Sequence, residues 1–253
     1  MRFVRFQRTG TTAYGILEGD LIRVIEGSVF GDCTTTAITH RLRDVRLLTP
    51  VEPTKILCVG LNYRDHIEEL GADFPKWPSH FLKPPSAVIG PDDEILYPAI
   101  AEQVDYEGEL AVIVRDRVKD VSEAQAMEHV LGFTCFNDVT ERTLSRIQGQ
   151  LTRSKGFDTF AAFGPCVATG LHPEALTVHT LVNGDIVQQG NCADMVFSVS
   201  FLIHYLSQCM TLFPGDIIST GTPRGVGPIV PGDVVEVHIE EIGGLRNPVR
   251  PEA

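Results

Sequence analysis

The stretch from Val104 to Asp138 limits what this chain can become more than any other. It opens Val104-Asp105-Tyr106-Glu107-Gly108-Glu109-Leu110-Ala111-Val112-Ile113-Val114, and the apolar, β-branched end of that run specifies a buried strand with two glutamates at its mouth. Residues two apart on an extended chain face the same side, so Glu107 and Glu109 project together with Cα atoms about 7 Å apart. A second short β-like run, Gly132-Phe133-Thr134-Cys135-Phe136-Asn137-Asp138, also ends in an acidic residue. If the two strands are neighbours, Asp138 joins the pair. Three converging carboxylates without a thiolate or clustered imidazole form a hard, all-oxygen set suited to Mg²⁺, Mn²⁺ or Ca²⁺ rather than Zn²⁺. The competing reading is a solvated strand edge whose charges discourage further pairing.

Glu107-Gly108-Glu109-Leu110 followed by Asn137-Asp138-Val139-Thr140 resembles the metal-ligand pattern of the fumarylacetoacetate hydrolase superfamily. The resemblance implies that Glu107, Glu109 and Asp138 bind Mg²⁺ or Mn²⁺.

A chain of 253 residues can hold one large core, or a principal domain with a small appendage, and the second organisation is expected here. Residues 1–50 alternate short apolar runs with turn residues, including a hairpin turning at Glu18-Gly19-Asp20, and read as a small antiparallel unit. The boundary falls near Pro50-Val51-Glu52-Pro53, with 51–253 as the catalytic domain. A net charge of −12 opposes non-specific binding to nucleic acid or to an anionic membrane. An anionic substrate must then be met by local cations. The start of the chain does not read as a signal peptide, and no apolar run is long enough to span a bilayer. The six cysteines lack C-x-x-C spacing and read as free, mostly buried thiols of a cytoplasmic protein.

The apolar strand Lys55-Ile56-Leu57-Cys58-Val59-Gly60 delivers the chain into Leu61-Asn62-Tyr63-Arg64-Asp65-His66-Ile67-Glu68-Glu69, whose second half reads as a short helix. His66 and Glu69, three apart, share a helical face, so the carboxylate can orient the imidazole. By its residues alone His66 could equally be an ordinary surface or core histidine. N-Y-x-x-H-x-x-E is similar to the superfamily's acid/base pair, which implies that His66 and Glu69 act on a water and places Tyr63 beside a substrate. Residues 70–80 read as a loop, either a passive one or, by resemblance, a mobile lid. Phe81-Leu82-Lys83-Pro84 resembles a strand that runs beside the family's site, with Lys83 read as structural. Ser122 to Leu131 is expected to be a capped surface helix, Thr140 to Arg146 another, and Phe197 to Ser207 the most amphipathic helix of the chain.

In Gly149-Gln150-Leu151-Thr152-Arg153-Ser154-Lys155-Gly156-Phe157-Asp158, the resemblance implies that Lys155 neutralises the substrate, that Gln150 contacts it and that Asp158 supports the site from behind. Leu212-Phe213-Pro214-Gly215-Asp216-Ile217-Ile218-Ser219-Thr220-Gly221-Thr222-Pro223-Arg224-Gly225-Val226-Gly227 has glycines but no GK[ST] sequence, so it is not a phosphate loop. It resembles the superfamily's most specific segment, in which Thr222 would line the pocket.

These resemblances run from Lys55 to about Pro248. They imply an α+β, predominantly β fold: a mixed β-roll or flattened barrel with peripheral helices, preceded by the small N-terminal β domain. They also imply a homodimer and a small anionic 2-oxo acid as substrate, chelated by the metal so that an enolate is stabilised when the adjacent C–C bond breaks. The full His66/Glu69 pair favours hydrolysis of an acylpyruvate- or fumarylpyruvate-like acid. Isomerisation of an unsaturated 2-oxo diacid, oxaloacetate decarboxylation and non-catalytic diacid binding are the alternatives. Some members carry Arg where this chain has Leu61, so Arg64 or Arg224 would have to supply that carboxylate contact.

Overall fold

The computed structural model describes residues 1–148 and 151–252. The Gly108–Val114 strand lies inside the largest sheet, between Val130–Asp138 on one side and Ile217–Ser219 on the other, both antiparallel to it. Its unbroken apolar run is explained by burial on both faces. Leu110, Val112 and Val114 enter one core cluster, while Ala111 and Ile113 enter another. Glu109 therefore shares a face with Ala111 and Ile113 and emerges where that face opens into a cavity.

From that centre the sheet runs through Ala161–Ala168 to Arg2–Arg8 and on to the meander Thr11–Glu18, Leu21–Gly27 and Cys33–Arg41. In the other direction it continues through Ile217–Ser219 and Ile56–Gly60 to Ser79–Lys83. The N-terminal strands thus extend the large sheet, joined by Arg2 and Phe3 opposite Ala168 and Val167. A five-stranded sheet packs beside it, and a three-stranded sheet joins Thr140–Glu141, Val104–Tyr106 and Gly227–Ile229. The expected α+β, predominantly β fold is observed, in the form of a roll of mixed sheets. Among the described residues the strands at the two ends of the long path, Cys33–Arg41 and Ser79–Lys83, do not pair with one another.

Two helix expectations change. Glu123–Ala126 is a single α-turn followed by a 3₁₀ turn, because Val130 already pairs with Val114 and pulls the chain into the sheet. The Ser122 hydroxyl donates to the Gln125 side chain and caps no backbone amide. Thr140–Glu141 is a strand paired with Val104 and Asp105, so the next helix starts at Arg142. There the Glu141 carboxylate accepts from the Leu144 amide at 2.5 Å, the bond expected of a helix cap. Val199–Cys209 is the amphipathic helix anticipated near this point, capped by Ser198 and burying Leu202, Ile203 and Leu206. No helix of the described residues is long and apolar enough to cross a membrane.

Gly108 separates the two glutamates because the neighbouring sheet comes too close for any side chain. A Cβ at this position would collide with the Thr180 hydroxyl, and the Gly108 amide donates to Gln188 at 3.0 Å. Gly108→Ala should lower the unfolding free energy by about 1–3 kcal/mol through overpacking. Chemical denaturation measures this, and an unchanged midpoint would show that the two sheets part easily here.

Candidate metal centre and acid/base pair

Pairing of the two central strands sets Gly108 opposite Asn137 and Glu109 opposite Phe136. The Asp138 amide donates to the Glu107 carbonyl at 2.9 Å, and the Glu107 amide donates to the Asn137 side chain at 3.0 Å. This cross-strand lock brings Glu107, Glu109 and Asp138 together, each offering a carboxylate oxygen within 4.8 Å of the others. All three are buried, so a solvated strand edge is excluded.

Burial of carboxylates is unfavourable without compensation, and the compensation here is explicit. Lys155 donates to Glu107 at 2.8 Å, to Asp138 Oδ2 at 2.7 Å and to the Thr140 hydroxyl at 2.8 Å. Arg142 pairs with Asp105 at 2.7 Å and makes a short contact to Glu107. Lys83 pairs with Asp138 Oδ1 and donates to the Val139 carbonyl at 2.9 Å. Glu109 is held by the Ser219 hydroxyl and by the Gly221 amide at 2.9 Å, with no cation in direct contact among the described residues. Gly221 reaches that position at φ +96°, a conformation that suits glycine.

The titration directions follow from these partners. Burial acts to raise the Glu107 carboxyl, but the Lys155 ammonium and the Arg142 guanidinium outweigh it and hold Glu107 at about 2. Glu109 is pushed well above the usual range by burial, then by the negative charges of Asp138 and Glu107. Lys155 is raised: burial opposes its charge, but Asp138 and Glu107 prevail. Burial pulls Lys83 down against the opposing pull of Asp138.

The carboxylates open into a cavity of about 220 Å³ lined also by Leu61, His66, Phe81, Arg142, Lys155 and Thr222. A larger cavity, about 750 Å³, lies between Arg41–Leu47 and Pro91–Asp93. The smaller one is the candidate site, because it gathers the buried ionised groups and a histidine. His66 sits on the Arg64–Leu70 helix with its Nδ1 at 3.0 Å from Glu69 Oε2. Glu69 also accepts from the Gly225 amide at 3.1 Å, which ties this helix to the loop bearing Thr222. The Thr222 hydroxyl donates to the Gly108 carbonyl and accepts from Gln188, both at 2.9 Å.

The remaining assignments separate. Tyr63 is wholly buried, and its hydroxyl bonds Cys192 Sγ at 3.3 Å. It is a core residue under the helix and does not line the cavity. Arg64, Arg224 and Asp158 are exposed and also lie outside the lining. Gln150 lies outside the described residues. Of the loop expected over residues 70–80, residues 71–78 lie between the Arg64–Leu70 helix and the Ser79–Lys83 strand, and there Trp77 stacks against Tyr205 with ring centroids 6.2 Å apart. Arg142 and Ser219 join the site without a sequence motif. The available hint for Arg142 is its place four residues after Asp138. For Lys83 it is a lysine between apolar Phe81-Leu82 and Pro84-Pro85, where a buried ammonium needs an acid.

The donor chemistry fits a hard divalent cation: buried carboxylate oxygens lie within reach of one another, and among the described residues Glu109 has no cationic partner. Glu107, Glu109 and Asp138 would hold it.

Comparison with known proteins gives a consistent result. Residues 55–250 match the family described as "Fumarylacetoacetate (FAA) hydrolase C-terminal", and residues 1–50 match "Rv2993c-like, N-terminal". The 5-carboxymethyl-2-hydroxymuconate delta-isomerase of Mycobacterium smegmatis is 41% identical, with a TM-score of 0.94 and all of both chains covered. The human mitochondrial oxaloacetate tautomerase FAHD2A is 42% identical over 81% of this chain and 70% of its own. Maleylpyruvate hydrolase from Sphingobium sp. SYK-6, solved with manganese(II) and pyruvate, is 30% identical with a TM-score of 0.84 over all of both chains.

Glu109→Ala should abolish calorimetric Mn²⁺ binding. Metal must displace the proton that Glu109 retains when its carboxyl is raised, so wild-type affinity should climb with pH and the heat should vary with the buffer's ionisation enthalpy. A pH-independent affinity would mean that Glu109 is already ionised or does not bind the metal.

Proposed function

Because the chain belongs to the fumarylacetoacetate hydrolase family, we propose that it is a divalent-metal-dependent enzyme that moves a proton on a small 2-oxo acid, as an isomerase or tautomerase. The observation that carries this reading is that His66, held by Glu69, lines the same small cavity as the carboxylate triad and Lys155.

Each group then has a task. A divalent cation bound by Glu107, Glu109 and Asp138 would act as a Lewis acid for negative charge developing on the 2-oxo acid. Lys155, at the cavity wall, adds a fixed ammonium toward the ligand's carboxylate or enol oxygen. His66 gives or takes the proton at its free ring nitrogen, while Glu69 at Nδ1 fixes the tautomer and supports the imidazolium. The Gly225 amide on Glu69 keeps that carboxylate in place. Leu61 and Phe81 line the cavity with apolar surface, which limits water around the reacting centre.

The similarity to the two proton-transferring enzymes, at 41% and 42% identity, supports isomerisation or tautomerisation as the first reading. C–C hydrolysis, the outcome favoured by the acid/base pair in sequence, is the second, supported by likeness to the maleylpyruvate hydrolase. It needs the same pair to activate a water. We propose a homodimer in the cytoplasm as its working form.

Turnover of oxaloacetate enol, a 2-hydroxymuconate-type dienoic acid and an acylpyruvate, each with Mn²⁺ and with chelator, separates these readings. Tautomerisation or isomerisation lost on chelation is the expected result. Acylpyruvate cleavage alone would move the assignment to hydrolysis, and turnover indifferent to chelator would remove the metal from both. Glu69→Gln should lower the rate by about 10² to 10⁴ while Mn²⁺ and oxalate affinities stay near wild type. A wild-type rate in that variant would take the dyad out of the mechanism.

A further inference from the structure

Resting on the metal reading above, we infer that Lys83 is a permanent counter-charge built into the centre, a positioning residue whose ammonium opposes the divalent cation through Asp138. Among the described residues, the carboxylates of Glu107 and Asp138 face the cations Lys83, Lys155 and Arg142, while Glu109 is held by the Ser219 hydroxyl and the Gly221 amide. Asp138 is met by Lys83 and Lys155, and Glu107 by Lys155 and by Arg142, which also pairs with Asp105, so both acids are already contacted by cationic side chains. A divalent cation entering beside them places further positive charge next to these groups.

The three cations are not equivalent. Lys155 and Arg142 line the cavity and can turn toward an incoming anion. Lys83 does not line it, and its side chain is fully buried, anchored to Asp138 Oδ1 and to the Val139 carbonyl. It comes from the edge strand Ser79–Lys83, where its backbone pairs with Ile56, so its position is fixed by the sheet. Asp138 is consequently shared: Oδ1 faces Lys83, and Oδ2 faces Lys155 and the cavity side. Removing the Lys83 charge leaves Asp138 held by Lys155 at 2.7 Å, so the carboxylate keeps one of its anchors.

A merely structural lysine and an opposing charge predict different signs. If Lys83 only holds Asp138 in place, neutralising it loosens a ligand and weakens the metal. If it opposes the metal, Lys83→Met makes the site one unit more negative and strengthens Mn²⁺. Opposite or like charges at this range shift a neighbouring ionic equilibrium by one to three powers of ten, so the gain should be at least about 10-fold.

The test is calorimetric titration of metal-free wild type and Lys83→Met with Mn²⁺ alone, without organic ligand, with thermal unfolding followed in parallel. The expected result is tighter Mn²⁺ binding by Lys83→Met and a larger rise in its unfolding temperature on adding Mn²⁺. Lys83→Gln removes the same charge but keeps a polar side chain beside Asp138 and the Val139 carbonyl, and should also tighten Mn²⁺ binding; it decides the matter if Lys83→Met does not fold. Where Lys83→Met folds, unchanged or weaker Mn²⁺ binding in it overturns the inference while leaving the metal site standing. Absence of Mn²⁺ binding in wild type overturns the metal reading itself, and this inference with it.

Discussion

Burial of Glu107, Glu109 and Asp138 is the constraint on which the arrangement of this molecule depends. An unpaired buried carboxylate costs several kcal/mol, roughly the scale of a whole domain's net stability. The fold has to supply partners from distant parts of the chain. Lys83 comes from the edge strand, Arg142 and Lys155 from helices after the central strands, and Ser219 and Gly221 from the segment paired on the far side. Few other placements of those elements would leave the acids satisfied.

The same requirement explains the close fit of the sheets. Glu107 and Glu109 face one side only because the chain between them stays extended, and Gly108 permits this where Thr180 approaches. On the other flank, Asn62 is clamped by the Thr220 carbonyl at 2.8 Å and by the Phe197 amide at 2.8 Å. That clamp fixes the turn from the Ile56–Gly60 strand into the His66 helix, with Leu61 at φ +55° just before it. A non-glycine residue in that conformation carries local strain of order 1–2 kcal/mol, a cost found where surrounding contacts dictate the backbone.

The acid/base pair is supported more lightly. Its helix has seven residues, of which only Ile67 is buried. Isolated helices of this length are not stable, so its position derives from contacts to the loop after Thr222. Glu69 accepts from Gly225, and Asp65 from the Arg224 amide at 3.4 Å. The carboxylates thus stand on a central sheet, and the imidazole on a short helix held by Ile67, the Asn62 clamp and the Arg224–Gly225 loop.

Much of this was legible in the sequence because the signals are local. Period-two geometry put Glu107 and Glu109 on one face, and three-residue spacing joined His66 to Glu69. The acidic end of the second β-like run offered Asp138 if the two strands were neighbours, and resemblance added Lys155 and Thr222, whose convergence no spacing rule could give. Tertiary structure alone decided the rest. It turned Tyr63 into the core, left Arg64 and Asp158 in solvent, kept the sheets open, and brought Lys83 and Arg142 to the acids. A side chain's pattern in sequence reports which face of an element it occupies. Which charge waits opposite that face depends on pairings such as Lys83 with Asp138, 55 residues apart, and these exist only once the strands have found their neighbours.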